Sequence, residues 1–64
     1  MQKREWLIEK RNAKGLSQSE MARLINVTQQ MYSYIESGKR NPSPKLSKKI
    51  AKVLGFDWTK FYED

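Results

Sequence analysis

Few side chains in this sequence could act on another molecule. There is no His and no Cys, so the commonest general base and the strongest nucleophile are both missing. Ser, Lys, Asp and Glu remain, but 64 residues leave little room for a substrate pocket of the usual ~300 Å³ or more. An enzyme is not expected, nor a disulfide, a metal site or a cofactor. Two groups of residues carry recognition chemistry instead. Gln29-Gln30 sets two amides side by side. Each can bond adenine through N6 and N7, or simply be solvated on a surface helix. Lys39-Arg40-Asn41 is a basic run that suits a phosphate backbone or a solvated turn.

The charge balance narrows the partner. Lys and Arg number 13 against 7 Asp and Glu, giving a net charge of +6 and a pI of about 9.8. So strong a field on so small a body attracts polyanions: DNA, RNA or anionic lipid. The longest apolar run is Trp6-Leu7-Ile8, against the ~20 residues of a spanning helix. No apolar stretch of signal-peptide length follows Met1-Gln2-Lys3-Arg4-Glu5. The expected location is cytoplasmic, with no membrane partner. With 38 % hydrophobic residues and a mean hydropathy of −0.88, the core must be small. The span 1–64 is expected to be one domain.

Helices must position these groups. Gly15, Gly38, Gly55, Pro42 and Pro44 each stand beside a plausible helix end. The spacing predicts a first helix over 3–14, with Leu7 and Arg11 on one face and Gly15 as its stop. Ser17 and Glu20 form a capping box, with Leu16 and Met21 as a hydrophobic staple around it. The second helix carries Met21, Leu24 and Ile25 at i, i+3 and i+4, with Ala22 beside them. It ends near Asn26, a residue type that tolerates left-handed backbone. Thr28 caps a third helix over 29–37, which Gly38 ends. Tyr32 and Ile35 face inward, while Gln29, Gln30, Ser33 and Tyr34 point another way. Ser43-Pro44 opens a fourth helix that runs to Leu54. Leu46, Ile50, Val53 and Leu54 form its apolar stripe, opposite Lys45, Lys48, Lys49 and Lys52. Asp57 caps a last short helix stapled by Phe56 and Phe61. No segment alternates with period two, so the expected class is all-α, with five short helices.

Two short helices joined by a three-residue turn are the geometry of a helix-turn-helix, here at about 17–37. Ala22 lets the pair approach closely, and the second helix keeps one face apolar and leaves its outer N-terminal face polar. At this level the sequence resembles the phage repressor/Cro type of helix-turn-helix, also called the xenobiotic-response-element family. The likeness rests on Gly15-Leu16-Ser17-Gln18, Met21-Ala22, Leu24-Ile25 and Val27-Thr28-Gln29-Gln30, followed by Ile35-Glu36-Ser37-Gly38-Lys39-Arg40-Asn41-Pro42-Ser43 and Leu54-Gly55. It covers roughly residues 4–62. The sequence departs from the family at Asn26, where Gly is usual, at Tyr32, where Ile or Val is usual, and at Lys10, where Leu is common.

The resemblance implies a compact five-helix, lambda-repressor-like domain that binds double-stranded DNA. It implies base contacts from Gln29, Gln30, Ser33 and Tyr34. Phosphate contacts are implied for Lys39, Arg40 and Asn41, and for Gln18 at the amide-rich start of the second helix. Arg11 and Glu36 are implied to form a structural salt bridge. The lysine stripe of the fourth helix is expected to add long-range attraction, with only Lys45 near enough to the helix start to reach a phosphate. Trp58, Phe61 and Tyr62 exceed what one short helix can bury, which marks them as a dimer patch. A weak homodimer on a two-fold operator is expected. The expected function is a sequence-specific transcriptional regulator, foremost a repressor. The alternative is an antitoxin or adaptor whose DNA binding autoregulates a toxin-antitoxin type operon. An RNA-binding module ranks below both, because no aromatic platform on a sheet is expected.

Overall fold

The computed structural model describes residues 3–63; residues 1, 2 and 64 of the expected 1–64 span lie outside the described residues. Four α-helices run in order: α1 (Glu5–Ala13), α2 (Gln18–Leu24), α3 (Gln29–Ser37) and α4 (Pro44–Leu54). A 3-10 helix, Trp58–Tyr62, follows them. The all-α class is as expected, but the described residues form four α-helices, not five. The last element is only five residues long and closes with tight bonds such as Lys60 N–H to the Asp57 carbonyl at 3.0 Å. Short runs of this kind favour the 3-10 form.

Each helix after the first begins at its own side-chain cap. Ser17 Oγ accepts from Glu20 N–H at 3.0 Å, and Glu20 Oε1 accepts from Ser17 N–H at 2.9 Å, completing the capping box. Thr28 Oγ1 accepts from Met31 N–H at 3.1 Å, and Ser43 Oγ from Leu46 N–H at 3.2 Å with Pro44 in the first turn. Each such cap contributes about 1 kcal/mol. α1 is the exception and starts at Glu5, two residues later than expected. Arg4 stands at its N-cap without a side-chain cap bond, because a guanidinium has no acceptor to offer a helix N–H. Between α2 and α3 the chain turns through Asn26 at φ +61°, which is how the usual Gly is replaced.

Leu7, Met21, Ala22, Ile25, Tyr32, Ile35, Ile50, Leu54 and Phe61 form the buried core. Tyr32 is fully buried, so the core does accommodate a ring at the unusual position. Leu24 departs from the expected pattern and is 59 % exposed. The buried side of α2 is centred on Met21, Ala22 and Ile25, and at ~100° per residue Leu24 falls about 110° from that centre. Edge contacts among Trp6, Phe56 and Phe61, at 5.2, 5.2 and 5.6 Å between centroids, close the core between α1 and the chain that follows α4. Lys10 lies over the Phe56 ring at 5.7 Å, its stem covering apolar surface where Leu is common. No described helix is long and apolar enough to cross a membrane.

Candidate nucleic-acid interface

α3 owes its orientation to a buried carboxylate near its end. Glu36 is 2 % exposed and accepts from three donors. Arg11 Nε reaches Oε2 at 2.6 Å, Arg11 Nη2 reaches Oε1 at 3.3 Å, and Gln18 Nε2 reaches Oε1 at 2.8 Å. Arg11 also donates to the Leu16 carbonyl at 2.8 Å. One carboxylate therefore joins α1, the start of α2 and the end of α3. Burial by itself would raise the Glu36 carboxyl; the hydrogen bonds from Arg11 and Gln18, with the Arg11 charge, outweigh it and hold the group below the usual range. The bond to Glu36 likewise raises Arg11. Burial, followed by the adjacent Glu36 charge, drives the Tyr32 phenol up, and its hydroxyl stays neutral. Despite that proximity, the Tyr32 hydroxyl makes no hydrogen bond of good geometry.

The expected base readers occupy the side of α3 away from this core. Gln29 and Gln30 are exposed, and Ser33 and Tyr34 are partly buried. Ser33 and Gln18 line one recess of about 370 Å³, together with Arg11, Glu36 and Ser37. Gln30 Nε2 donates to the Tyr34 hydroxyl at 2.8 Å. Gln29 makes no side-chain hydrogen bond among the described residues. Gln18, expected to meet a phosphate, is partly buried and donates from its amide nitrogen to Glu36.

The loop after α3 is held from below. Arg4 donates to the carbonyls of Ile35 and Arg40 and to Asn41 Oδ1, and its backbone N–H bonds the Glu36 carbonyl at 2.7 Å. Arg4 also lies over the Phe61 ring at 5.5 Å. Lys39 and Arg40 remain exposed, with Lys39 Nζ 5.4 Å from the Tyr34 ring centroid. Asn41, exposed, keeps its amide nitrogen free for an outside partner. The importance of Arg4 was missing from the sequence reading. Its contacts lie more than thirty positions away, and no local pattern signals them.

The C-terminal rings divide. Phe61 is 8 % exposed and belongs to the core, which corrects its assignment to a surface patch. As the fourth residue after its cap, it turns inward against Phe56, the residue before that cap. Trp58 and the half-exposed Tyr62 pack edge to face at 5.9 Å, with Lys48 over Trp58 at 4.9 Å. The Tyr62 hydroxyl donates to the Pro42 carbonyl at 3.1 Å and lies 3.3 Å from the buried Ser47 Oγ.

A short helix stopped by a left-handed residue, followed by a capped helix with a polar outer face and a basic loop, defines the helix-turn-helix class. The helix-turn-helix family pattern matches residues 7–61. The chain is 48 % identical over 61 residues to the uncharacterized HTH-type transcriptional regulator YqaF of Bacillus subtilis, a match covering 95 % of this chain and 80 % of that protein. Uncharacterized HTH-type transcriptional regulators of Archaeoglobus fulgidus and Methanothermobacter thermautotrophicus are each 40 % identical, over 40 and 47 residues. Those matches cover 62 % and 73 % of this chain, and 57 % and 68 % of the relatives. The chain belongs to the Cro/C1-type helix-turn-helix family of DNA-binding transcription regulators.

Proposed function

We propose that the protein is a sequence-specific repressor that reads the major groove of double-stranded DNA with α3 and acts in the cytoplasm as a weak homodimer on a two-fold operator. The observation that carries this reading is the placement of Gln29, Gln30, Ser33 and Tyr34 on the open side of α3, directly before the exposed Lys39 and Arg40. The base readers are Gln29, Gln30, Ser33 and Tyr34. Lys39, Arg40, the Asn41 amide and the start of α2 at Gln18 clasp the phosphates, which fix register without reading sequence. Arg11 and Glu36 are structural: their ion pair ties α1 to the end of α3, and Arg11 neutralises the carboxylate buried there. The expectation of an autoregulating antitoxin has no observation here that favours it.

The test is selection of duplexes from a random pool, followed by titration across salt. With about 5–6 phosphates neutralised per bound copy, log K falls against log salt with a slope near −5. Gln29→Ala relaxes base preference, whereas Lys39→Ala weakens binding to all duplexes alike. Binding that ignores salt, or that favours single-stranded RNA over duplex DNA, refutes the proposal.

A further inference from the structure

Arg4 serves the recognition helix from outside it. The last four carbonyls of an α-helix have no partner within the helix, and α3 ends at Ser37. Arg4 supplies two of the missing donors: its backbone N–H bonds the Glu36 carbonyl at 2.7 Å, and Nη1 bonds that of Ile35. The same Nη1 reaches the Arg40 carbonyl at 3.1 Å, and Nη2 reaches Asn41 Oδ1. These acceptors are all neutral, and the one ion pair among the described residues is Arg11–Glu36. The Arg4 charge is therefore not paired with a carboxylate, and it stands at the negative end of the α3 dipole.

The loop after α3 has little order of its own. From Lys39 to Pro42 a single backbone N–H, that of Arg40, finds a backbone carbonyl among the described residues (Tyr34, 3.2 Å). Such a segment, left to itself, loses its freedom only on meeting a partner, and that loss weakens binding. Contacts from both ends of the chain hold it beforehand. Arg4 grips the Arg40 carbonyl and the Asn41 side chain, while its guanidinium lies over the buried Phe61 ring at 5.5 Å. The Tyr62 hydroxyl donates to the Pro42 carbonyl at 3.1 Å, beside the buried Ser47 Oγ at 3.3 Å. The side chains of Lys39 and Arg40 stay exposed.

We infer that Arg4 is a positioning residue for DNA binding: its guanidinium sets the path of the loop that carries Lys39 and Arg40 to the phosphates, and the Tyr62 hydroxyl completes the hold at Pro42. The inference rests on the proposal that this loop meets phosphate. The role needs shape as well as charge. Two nitrogens of one planar group reach acceptors on three residues. A lysine ammonium, a single nitrogen on a flexible stem, cannot reproduce that spread. A charge acting only at long range would be replaced by lysine without loss.

The experiment titrates the whole chain with its selected duplex and with an unrelated duplex across a salt series, for the parent, Arg4→Lys and Tyr62→Phe. Arg4→Lys keeps the net charge, yet its salt slope becomes shallower by ~1 per bound copy, the signature of one lost phosphate contact. At about 0.15 M salt that corresponds to a ~5-fold loss of affinity, equal on both duplexes, with base preference intact. Tyr62→Phe, which keeps the ring, moves the slope the same way by less. A variant that is merely less stable has a smaller active fraction but the parental slope. With Lys39 and Arg40 both changed to Ala, Arg4→Lys alters the slope no further. A parental slope in Arg4→Lys overturns the inference, as does a slope that Arg4→Lys still lowers when Lys39 and Arg40 are gone. If Arg4→Lys does not fold, a parental slope in Tyr62→Phe overturns it. A parent whose own binding ignores salt overturns the proposed function, and this inference with it.

Discussion

Glu36 shows how much a single residue fixes in this protein. Its carboxylate is nearly sealed from solvent, and the donors from Arg11 and Gln18 make its burial tolerable. Removing one partner of a fully buried pair costs ~3–5 kcal/mol. Arg11 retains 12 % side-chain exposure, so Glu36→Ala is expected to cost about 3 kcal/mol, at the lower end of that range. For a domain of this size that lowers Tm by roughly 12–24 °C, readable by calorimetry; a Tm unchanged from the parent would disprove the role. The acid limb follows from the same bonds. The folded carboxyl titrates below its ordinary value of 4.5. The stabilisation is complete above that value and disappears as pH falls through the lower folded one. Glu36→Gln should therefore flatten the loss of Tm on acidification. At this scale the sequence was informative only through a resemblance. That Arg11 and Glu36 belong together followed from the family pattern, whereas Arg4 and Asn41, joined across thirty-seven positions, carry no local sign of their contact.

The elements were far more legible, because their ends are written in local chemistry. Ser17, Thr28, Ser43 and Asp57 cap the segments that follow them, and Gly38 and Gly55 end α3 and α4 in left-handed backbone. The errors lie where local chemistry is silent. α1 has no side-chain cap and its start was misplaced, and Leu24 was counted inward although Ala22 takes that side of α2. The helix-turn-helix bend itself depends on Asn26 at φ +61°. A β-carbon in left-handed backbone costs about 1–2 kcal/mol, which Asn offsets in part through its short polar side chain. Asn26→Ala is thus expected to lower unfolding free energy by about 1 kcal/mol, and Asn26→Gly to leave it unchanged or raise it slightly. Urea denaturation measures both. If the alanine variant is as stable as the glycine variant, the turn does not impose the conformation described.

For the whole molecule the open matter is pairing. A single nine-residue recognition helix spans few base pairs, and two of them one DNA turn apart, ~34 Å, define a longer site. With Phe61 buried, the proposed dimer patch reduces to Trp58 and Tyr62 beside Lys48. For the proposed dimer, so small a patch implies weak association of the free protein, with DNA driving pairing by mass action. Sedimentation should find the free protein monomeric at micromolar concentration and two copies on an operator duplex. Trp58→Ala should abolish cooperative filling of the second half-site without lowering Tm as far as a core change would. One copy at full affinity on an isolated half-site would exclude the pair. Sequence reasoning recognised the surplus of rings at this end of the chain, but it could not divide them between inside and outside. That division depends on Trp6 and Phe56, which claim Phe61 for the core.

The same three rings govern how the chain is made. Trp6 belongs to the first helix, and Phe61, its partner at 5.2 Å, lies fifty-five positions on. A ribosome adding ~5–20 residues per second separates the two by about 3–11 s, whereas a helical domain rich in local contacts folds in microseconds to milliseconds. Helices α2 to α4, each with its own cap, can form as they emerge, but the face of α1 that carries Trp6 lacks its aromatic cover until Phe56 and then Phe61 are synthesised. The aromatic cover of Trp6 is therefore expected to be the last part of the core to close during synthesis.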